Sequence, residues 1–347
     1  MLRFLALVVP LCLSLTAQAQ EFDRSVFIRL ASSLVKIEAL SADGTLSLGT
    51  GVAIAPGRVA TNCHVTRNAA TITMLRGGLR WRVAGQLADV TRDICLLHAP
   101  RFDATPAPLG TVAALKLGQH VGAIGFEGGV GIQFRQGRVT ALHRHDRSSV
   151  LRTSTPFTSG ASGGGLFNAT GQLVGLLTFR QRGTDGSYFS VPIDWLSAGM
   201  SDNTQYVPIA PLDPKLKAFW QHGVDDLPYF MQANSLAVDQ KWVPLLQLTN
   251  RWGSVDKSSL EPWIAQGSAY DGLARPEDAI KAFEEALKRD PDSSEAWFGL
   301  GRIYAKQGNE QRFRLAQQNL QRLNPDLAAE LAKEQPARPS PSNPSKS

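Results

Sequence analysis

Ser159-Gly160-Ala161-Ser162-Gly163-Gly164-Gly165-Leu166 sets a hydroxyl among glycines. A nucleophilic serine needs an exposed Oγ and backbone N–H groups aimed at the oxyanion that forms on attack. Glycines before and after it let the chain turn tightly and present those N–H groups without a side chain in the way. The donors in this pattern are the N–H groups of Gly160 and Ser162. The same composition also suits an inert Gly/Ser loop, so the segment alone leaves both readings open. Two further residues supply the rest of a relay. His64 lies in Val59-Ala60-Thr61-Asn62-Cys63-His64-Val65, just after the strand-like Gly51–Ala55. Among six histidines, only His64 has this setting. Asp93 lies in Arg92-Asp93-Ile94-Cys95-Leu96-Leu97. An acid at the head of an apolar strand sits at a rim, where it can accept the Nδ1–H of a histidine. Asp89 competes for this role; Asp93 is preferred because its strand follows at once. The histidines are scattered and lack ligand spacing, so no metal is expected, and nothing implies a cofactor.

The elements that must position these residues read as all-β over 20–205. Short runs rich in Val, Ile, Leu and Thr recur between Gly, Asp and Asn: Ser33–Ala39, Gly51–Ala55, Ala70–Leu75, Ile94–His98, Val121–Ile124, Gly137–Leu142, Leu173–Phe179 and Tyr188–Val191. Many short strands at this spacing predict a sandwich or barrels. Asp23–Ser32 is expected to form a short leading helix. A linker carrying Pro208, Pro211, Pro214 and Pro228 occupies 206–228. Helical periodicity then takes over. Trp263 and Trp297, Gly267 and Gly301, and Tyr270 and Tyr304 stand one repeat apart, a period that resembles the tetratricopeptide repeat. The region is placed at 229–325, clear over 260–325 and degenerate over 229–259. Small Gly267 and Ala279 let paired helices approach, and Tyr270 and Phe283 fill the gap between pairs. In the second unit, Phe313, Gln317 and Leu320 stand where Ala, Phe and Ala are usual. The tail, 326–347, is expected to be disordered.

In chain order His64, Asp93 and Ser162 resemble the trypsin-like serine proteases, and more closely their HtrA/Deg branch. The resemblance covers about 30–200. It rests on Gly49-Thr50-Gly51-Val52-Ala53-Ile54, Leu117-Gly118-Gln119 through Ala123-Ile124-Gly125, Gln136-Gly137-Arg138-Val139-Thr140, Gly171-Gln172-Leu173-Val174-Gly175 and Phe189-Ser190-Val191-Pro192. It implies two six-stranded barrels with the site in the cleft between them, His64 and Asp93 from the first and Ser162 from the second. Ala161 and Gly165 stand where the family has Asn and Pro. Helical repeats stand where it has a PDZ domain. The position that holds an acid in trypsin is Pro156, flanked by uncharged Thr155 and Phe157. This disfavours Lys/Arg specificity and leans toward small or apolar side chains.

Residues 1–19 read as a signal peptide: Arg3, an apolar run from Phe4 to Leu15, and Ala17-Gln18-Ala19 before the cleavage site. No later segment is long and apolar enough to span a bilayer. Export places Cys63 and Cys95 in an oxidising compartment. Each lies beside a residue of the relay, so they either bridge or remain two buried thiols. The net charge of +6 is spread along the chain with no basic stripe, giving no support for nucleic-acid binding. Two functions fit: an exported endopeptidase whose repeats bind protein, or a protease-like binding protein that is inactive and works through its repeats.

Overall fold

The structure, a computed structural model, describes residues 24–181, 187–197 and 205–334. The expected signal peptide lies outside them. Helix α1 (Arg24–Ala31) leads into an antiparallel sheet of β1 (Leu34–Ser41), β2 (Leu46–Ala55), β3 (Arg58–Thr61), β4 (Ala69–Arg76), β5 (Leu79–Arg82), β6 (Gly85–Asp89) and β7 (Ile94–His98). Its order is β5-β4-β1-β2-β3-β7-β6. Inward residues alternate along β1, where Val35, Ile37 and Ala39 are buried. With Val59, Ile72, Met74, Leu97 and Phe102 they make the core of this half.

The first sheet corrects one expectation. It has seven strands and stays open, where the resemblance implied a closed six-stranded barrel. An open edge must be covered or blunted. Val207 supplies the cover at β6, exchanging both backbone hydrogen bonds with Gln86 at 2.8 and 3.0 Å. The second half does close. Strands β8 (His120–Glu127), β9 (Gly131–His145), β10 (Ser148–Thr153), β11 (Gly165–Asn168), β12 (Leu173–Gln181) and β13 (Ser187–Pro192) form a barrel in the order β10-β13-β12-β11-β8-β9.

After α2 (Cys63–Thr66) and α3 (Asp194–Ser197), which sit among the strands, seven more helices follow. They are α4 (Tyr229–Val238), α5 (Trp242–Val255), α6 (Glu261–Gly272), α7 (Pro276–Arg289), α8 (Ser294–Lys306), α9 (Glu310–Leu323) and α10 (Pro325–Leu331). The close approach expected at Gly267 is present: a Cβ there would fall 2.7 Å from the Phe283 ring. Gly301, one repeat later, has Gln317 where Phe283 would recur. Its space is filled instead by Leu331, whose Cδ2 would lie 2.4 Å from an added Cβ. Leu331 is fully buried and Ala328 nearly so. The expectation of disorder from 326 is therefore wrong at its start. Pro325–Leu331 is helical, capped by Asn324, whose side chain accepts Leu327 N–H, because α9 leaves an apolar hole that α10 fills. The rest of the expected tail, from 335, lies outside the described residues.

The helices dock on the second barrel. Phe230 of α4 stacks on His143 at 4.4 Å, and Arg152 donates to Asn234 at 2.7 Å. Glu261 receives the His143 ring nitrogen at 2.8 Å and Arg144 N–H at 3.0 Å. At the far end Asn324 donates to Leu117 O at 2.7 Å, and Asp326 pairs with Arg138. Between these contacts Glu295 faces a cavity of about 190 Å³ shared with Arg152 and Glu261. Burial raises its carboxyl from 4.5 to about 7, and the charge of Glu261 pushes the same way. Because the folded chain holds this proton more tightly than the unfolded one, the stabilisation is complete below about pH 4.5 and is lost as pH rises through about 7. Glu295→Gln should melt with the wild type near pH ~4 and above it near pH ~8.5, as read by thermal denaturation.

Candidate active site

Asp93 anchors the site. Its side chain is 1% exposed, and its backbone is left-handed, with φ +58°. Non-glycine residues rarely adopt this conformation and hold it only where surrounding structure fixes them. The surroundings are specific. Asp93 Oδ1 accepts the His64 backbone N–H at 2.8 Å, and Oδ2 lies 2.7 Å from His64 Nδ1. Oδ2 also accepts the Trp220 indole N–H at 3.0 Å. The Asp93 carbonyl accepts Asn62 Nδ2–H at 2.8 Å. An ionised carboxylate only accepts. Nδ1 of His64 therefore carries the proton, and Nε2 is left with a free lone pair.

His64 is carried by α2, a single turn at the end of β3. Its partner strand β7 begins at Ile94, directly after Asp93, and pairs with β3 from Thr61↔Cys95 to Arg58↔His98. The pairing brings the two residues together across 29 positions. A disulfide joins Cys63 to Cys95, with Cα atoms 4.9 Å apart. Closing a loop of 32 positions stabilises the fold by roughly 3–4 kcal/mol in the chain-entropy picture. Asp89, the competitor, points away: its carboxylate bonds Thr91 and the Arg92 backbone at the surface.

Ser162 comes from the second barrel, at the turn into β11. Gly160 and Gly163 adopt φ +93° and +82°. A Cβ on Gly160 would fall 2.4 Å from Phe126 O, and one on Gly163 would fall 2.2 Å from both Thr50 O and Thr61 Oγ1. The loop is thus pressed onto the first sheet, and one residue clamps it. Thr50 N–H donates to Ser162 O at 2.8 Å, while Thr50 Oγ1 donates to Gly160 O at 2.7 Å and accepts Phe126 N–H at 2.8 Å. Thr61 Oγ1 donates to Thr50 O at 2.7 Å. Neighbouring loop amides are used: Ala161 N–H bonds Thr158 O, Gly163 N–H bonds Leu177 O and Gly164 N–H bonds Ala161 O. Among the described residues no acceptor takes the N–H of Gly160 or of Ser162. The Ser162 hydroxyl faces Thr178 O at 3.5 Å, and no hydrogen bond joins it to His64.

Both departures from the family pattern have packing reasons. A Cβ on Gly165 would lie 2.3 Å from the Phe167 ring. Ala161 is buried against Gly125, where an added Cβ would fall 2.9 Å from its own. Sequence reasoning missed Thr50, Asn62 and Trp220. Thr50 and Asn62 lie inside segments already singled out, but as neighbours of other residues. Trp220 lies in the segment read as a linker. Thr50→Val keeps the shape and removes a buried hydroxyl with two partners. A loss of roughly 1–3 kcal/mol in denaturant unfolding is expected, with slower labelling of Ser162 by a fluorophosphonate.

Residues 49–176 match the family described as the trypsin-like peptidase domain, and residues 264–334 match a tetratricopeptide repeat family. A probable periplasmic serine endoprotease DegP-like of Pseudomonas fluorescens is 35% identical over 159 residues, covering 43% of this chain and 33% of the relative. The periplasmic serine endoprotease DegP of Salmonella typhimurium is 32% identical over 175 residues, covering 46% and 36%. The chain thus spans about a third of the length of these curated relatives. The solved structure of the Rv3671c protease from M. tuberculosis, active form, is 23% identical and aligns over 53% of this chain and 87% of that one, with a TM-score of 0.49.

Proposed function

We propose that this chain, a trypsin-like peptidase domain continued by tetratricopeptide repeats, is an exported serine endopeptidase. The observation that carries this reading is the Asp93–His64 pair, set against a glycine loop whose Gly160 and Ser162 N–H groups have no acceptor among the described residues. Ser162 is the nucleophile. Its hydroxyl turns from Thr178 O toward His64 Nε2 and gives up its proton as Oγ attacks a peptide carbonyl. Catalytic hydrogen bonds are often looser before substrate binds, so the open Ser162–His64 geometry is compatible with this step. The oxyanion is received by Gly160 and Ser162 N–H. Asp93 keeps the proton on Nδ1 and steadies the imidazolium, which then protonates the leaving amine; water frees the acyl-enzyme.

Export is supported by the leading apolar segment, by the periplasmic relatives and by the Cys63–Cys95 bridge, a bond kept in oxidising compartments. Among the described residues no helix is long and apolar enough to cross a membrane. The repeats serve as an arm for protein. They enclose, with the second barrel, a cavity of about 1100 Å³ lined by Arg138, Arg152, Asp271, Phe283, Arg302 and Lys333. Charged and aromatic walls of this kind suit a polypeptide segment.

Fluorophosphonate labelling of the purified chain tests the reading. Labelling is expected in wild type and lost in Ser162→Ala; folded wild-type protein that takes no label would leave only the inactive binding-protein reading. Turnover should fall by about 10⁶ for Ser162→Ala or His64→Ala, and by about 10⁴ for Asp93→Asn, which permits the wrong tautomer.

A further inference from the structure

Trp220 lies 127 positions from Asp93, in the segment that leaves the second barrel and precedes the helices. Its indole reaches the neighbourhood of all three proposed active residues. Nε1–H donates to Asp93 Oδ2 at 3.0 Å. The ring meets the His64 imidazole edge-on, 5.4 Å between centroids at 88°. Its face stacks on Phe179, 4.9 Å away at 15°, and Phe179 follows Thr178, whose carbonyl faces the Ser162 hydroxyl.

The segment is fixed to the same two pieces of chain that carry His64 and Asp93. Arg67, three residues after His64, donates its guanidinium to the carbonyls of Asp213, Pro214 and Leu216, and its own carbonyl accepts Leu212 N–H at 2.8 Å. Thr91, two residues before Asp93, accepts Phe219 N–H at 3.0 Å. Ala218 and Phe219 are buried, and Phe219 packs on Trp195 and Phe179. A 3-10 turn, Phe219–Gln221, then aims the indole inward, closed by Gln221 N–H to Ala218 O at 2.8 Å and Ala218 N–H to Gln221 Oε1 at 3.3 Å. An incidental contact would not need anchors on both flanks.

We infer that Trp220 is a positioning residue for the proposed peptide hydrolysis, holding the Asp93 carboxylate and the His64 ring from outside the two β halves. The inference rests on the endopeptidase reading above. Oδ2 takes two donors at once, so the carboxylate is held against rotation and stays aligned with Nδ1. The ring closes one side of the imidazole and limits its swing. The peptidase site is thereby completed by chain that lies beyond the matched peptidase domain, on the path to the helices.

The test uses the full chain. Trp220→Phe keeps a ring against Phe179 and His64 but removes the donor. With denatured casein as substrate, kcat should fall roughly 10- to 100-fold, the range for losing a hydrogen bond to a charged group, while KM, read well below the melting transition, stays at wild type. The strongly deshielded proton NMR signal of the His64 Nδ1–H should also move. A kcat within about twofold of wild type together with an unmoved proton signal would overturn the inference. If Trp220→Phe melts early, Trp220→Tyr is read by the same criteria. Wild type is read first: if it neither labels with fluorophosphonate nor cleaves casein, the endopeptidase reading fails. The proton signal then decides by itself whether Trp220 holds the pair.

Discussion

A carboxylate removed from water is tolerated only where donors replace its hydration. Asp93 is such a group, and much of the architecture converges on it. Three N–H donors reach its two oxygens: the His64 backbone, the His64 ring and the Trp220 indole. A fourth, from Asn62, holds its carbonyl and so its left-handed backbone. The four donors come from three different constraints. The His64 pair depends on β3 pairing with β7 and on the disulfide beside it. Asn62 bridges to the second barrel through Thr178 at 3.2 Å. Trp220 depends on the segment beyond both β halves. Removing one donor leaves the charge buried and short of partners, which costs more than the hydrogen bond contributed.

The same logic joins the helices to the β body. One continuous core runs from Ile124, Phe189 and Trp195 in the second half through Phe219 and Phe230 to Leu245 and Trp252. Helices α4 and α5 therefore share their apolar interior with the barrel. The repeats beyond them have a core of their own around Phe283, Tyr304 and Leu331. The segment bearing Trp220 lies between Trp195 and α4, inside the shared core. Phe230 of α4 and Phe219 both pack on the His145 ring, so the helix and the Trp220 segment share one aromatic cluster.

What the sequence revealed follows the range of the interactions involved. Strand β7 begins and ends where a short apolar run said it would, and Gly267 meets Phe283 because a repeat encodes its own packing. The turn around Ser162 was legible because a tight turn needs glycine at particular positions. The open first sheet was not, since closure depends on which edge finds a partner, and Val207 reached β6 from 121 positions away. Helix α10 was missed because its reason lies in Gln317, which leaves Gly301 uncovered. Trp220 was missed for a related reason: one aromatic residue in a proline-rich stretch has no period and no neighbour in sequence to name its partner. The only local hint was Phe219-Trp220, a large apolar pair where a free linker has no use for one.

The departures at Ala161 and Gly165 bear on whether the peptidase half is a working site or a relic. A relic is freed first from whatever is costly. The costly features here are the positive φ of Asp93, its burial, and two backbone N–H groups without acceptors among the described residues. A glycine at 93 would relieve the first, and an apolar residue there the second. All three are present, and Gly165 and Ala161 sit where packing accepts them: the Phe167 ring lies against Gly165, and Ala161 lies against Gly125. Strain at Asp93 and fitted packing at Gly165 and Ala161 agree with the proposed endopeptidase reading better than with a scaffold for the repeats.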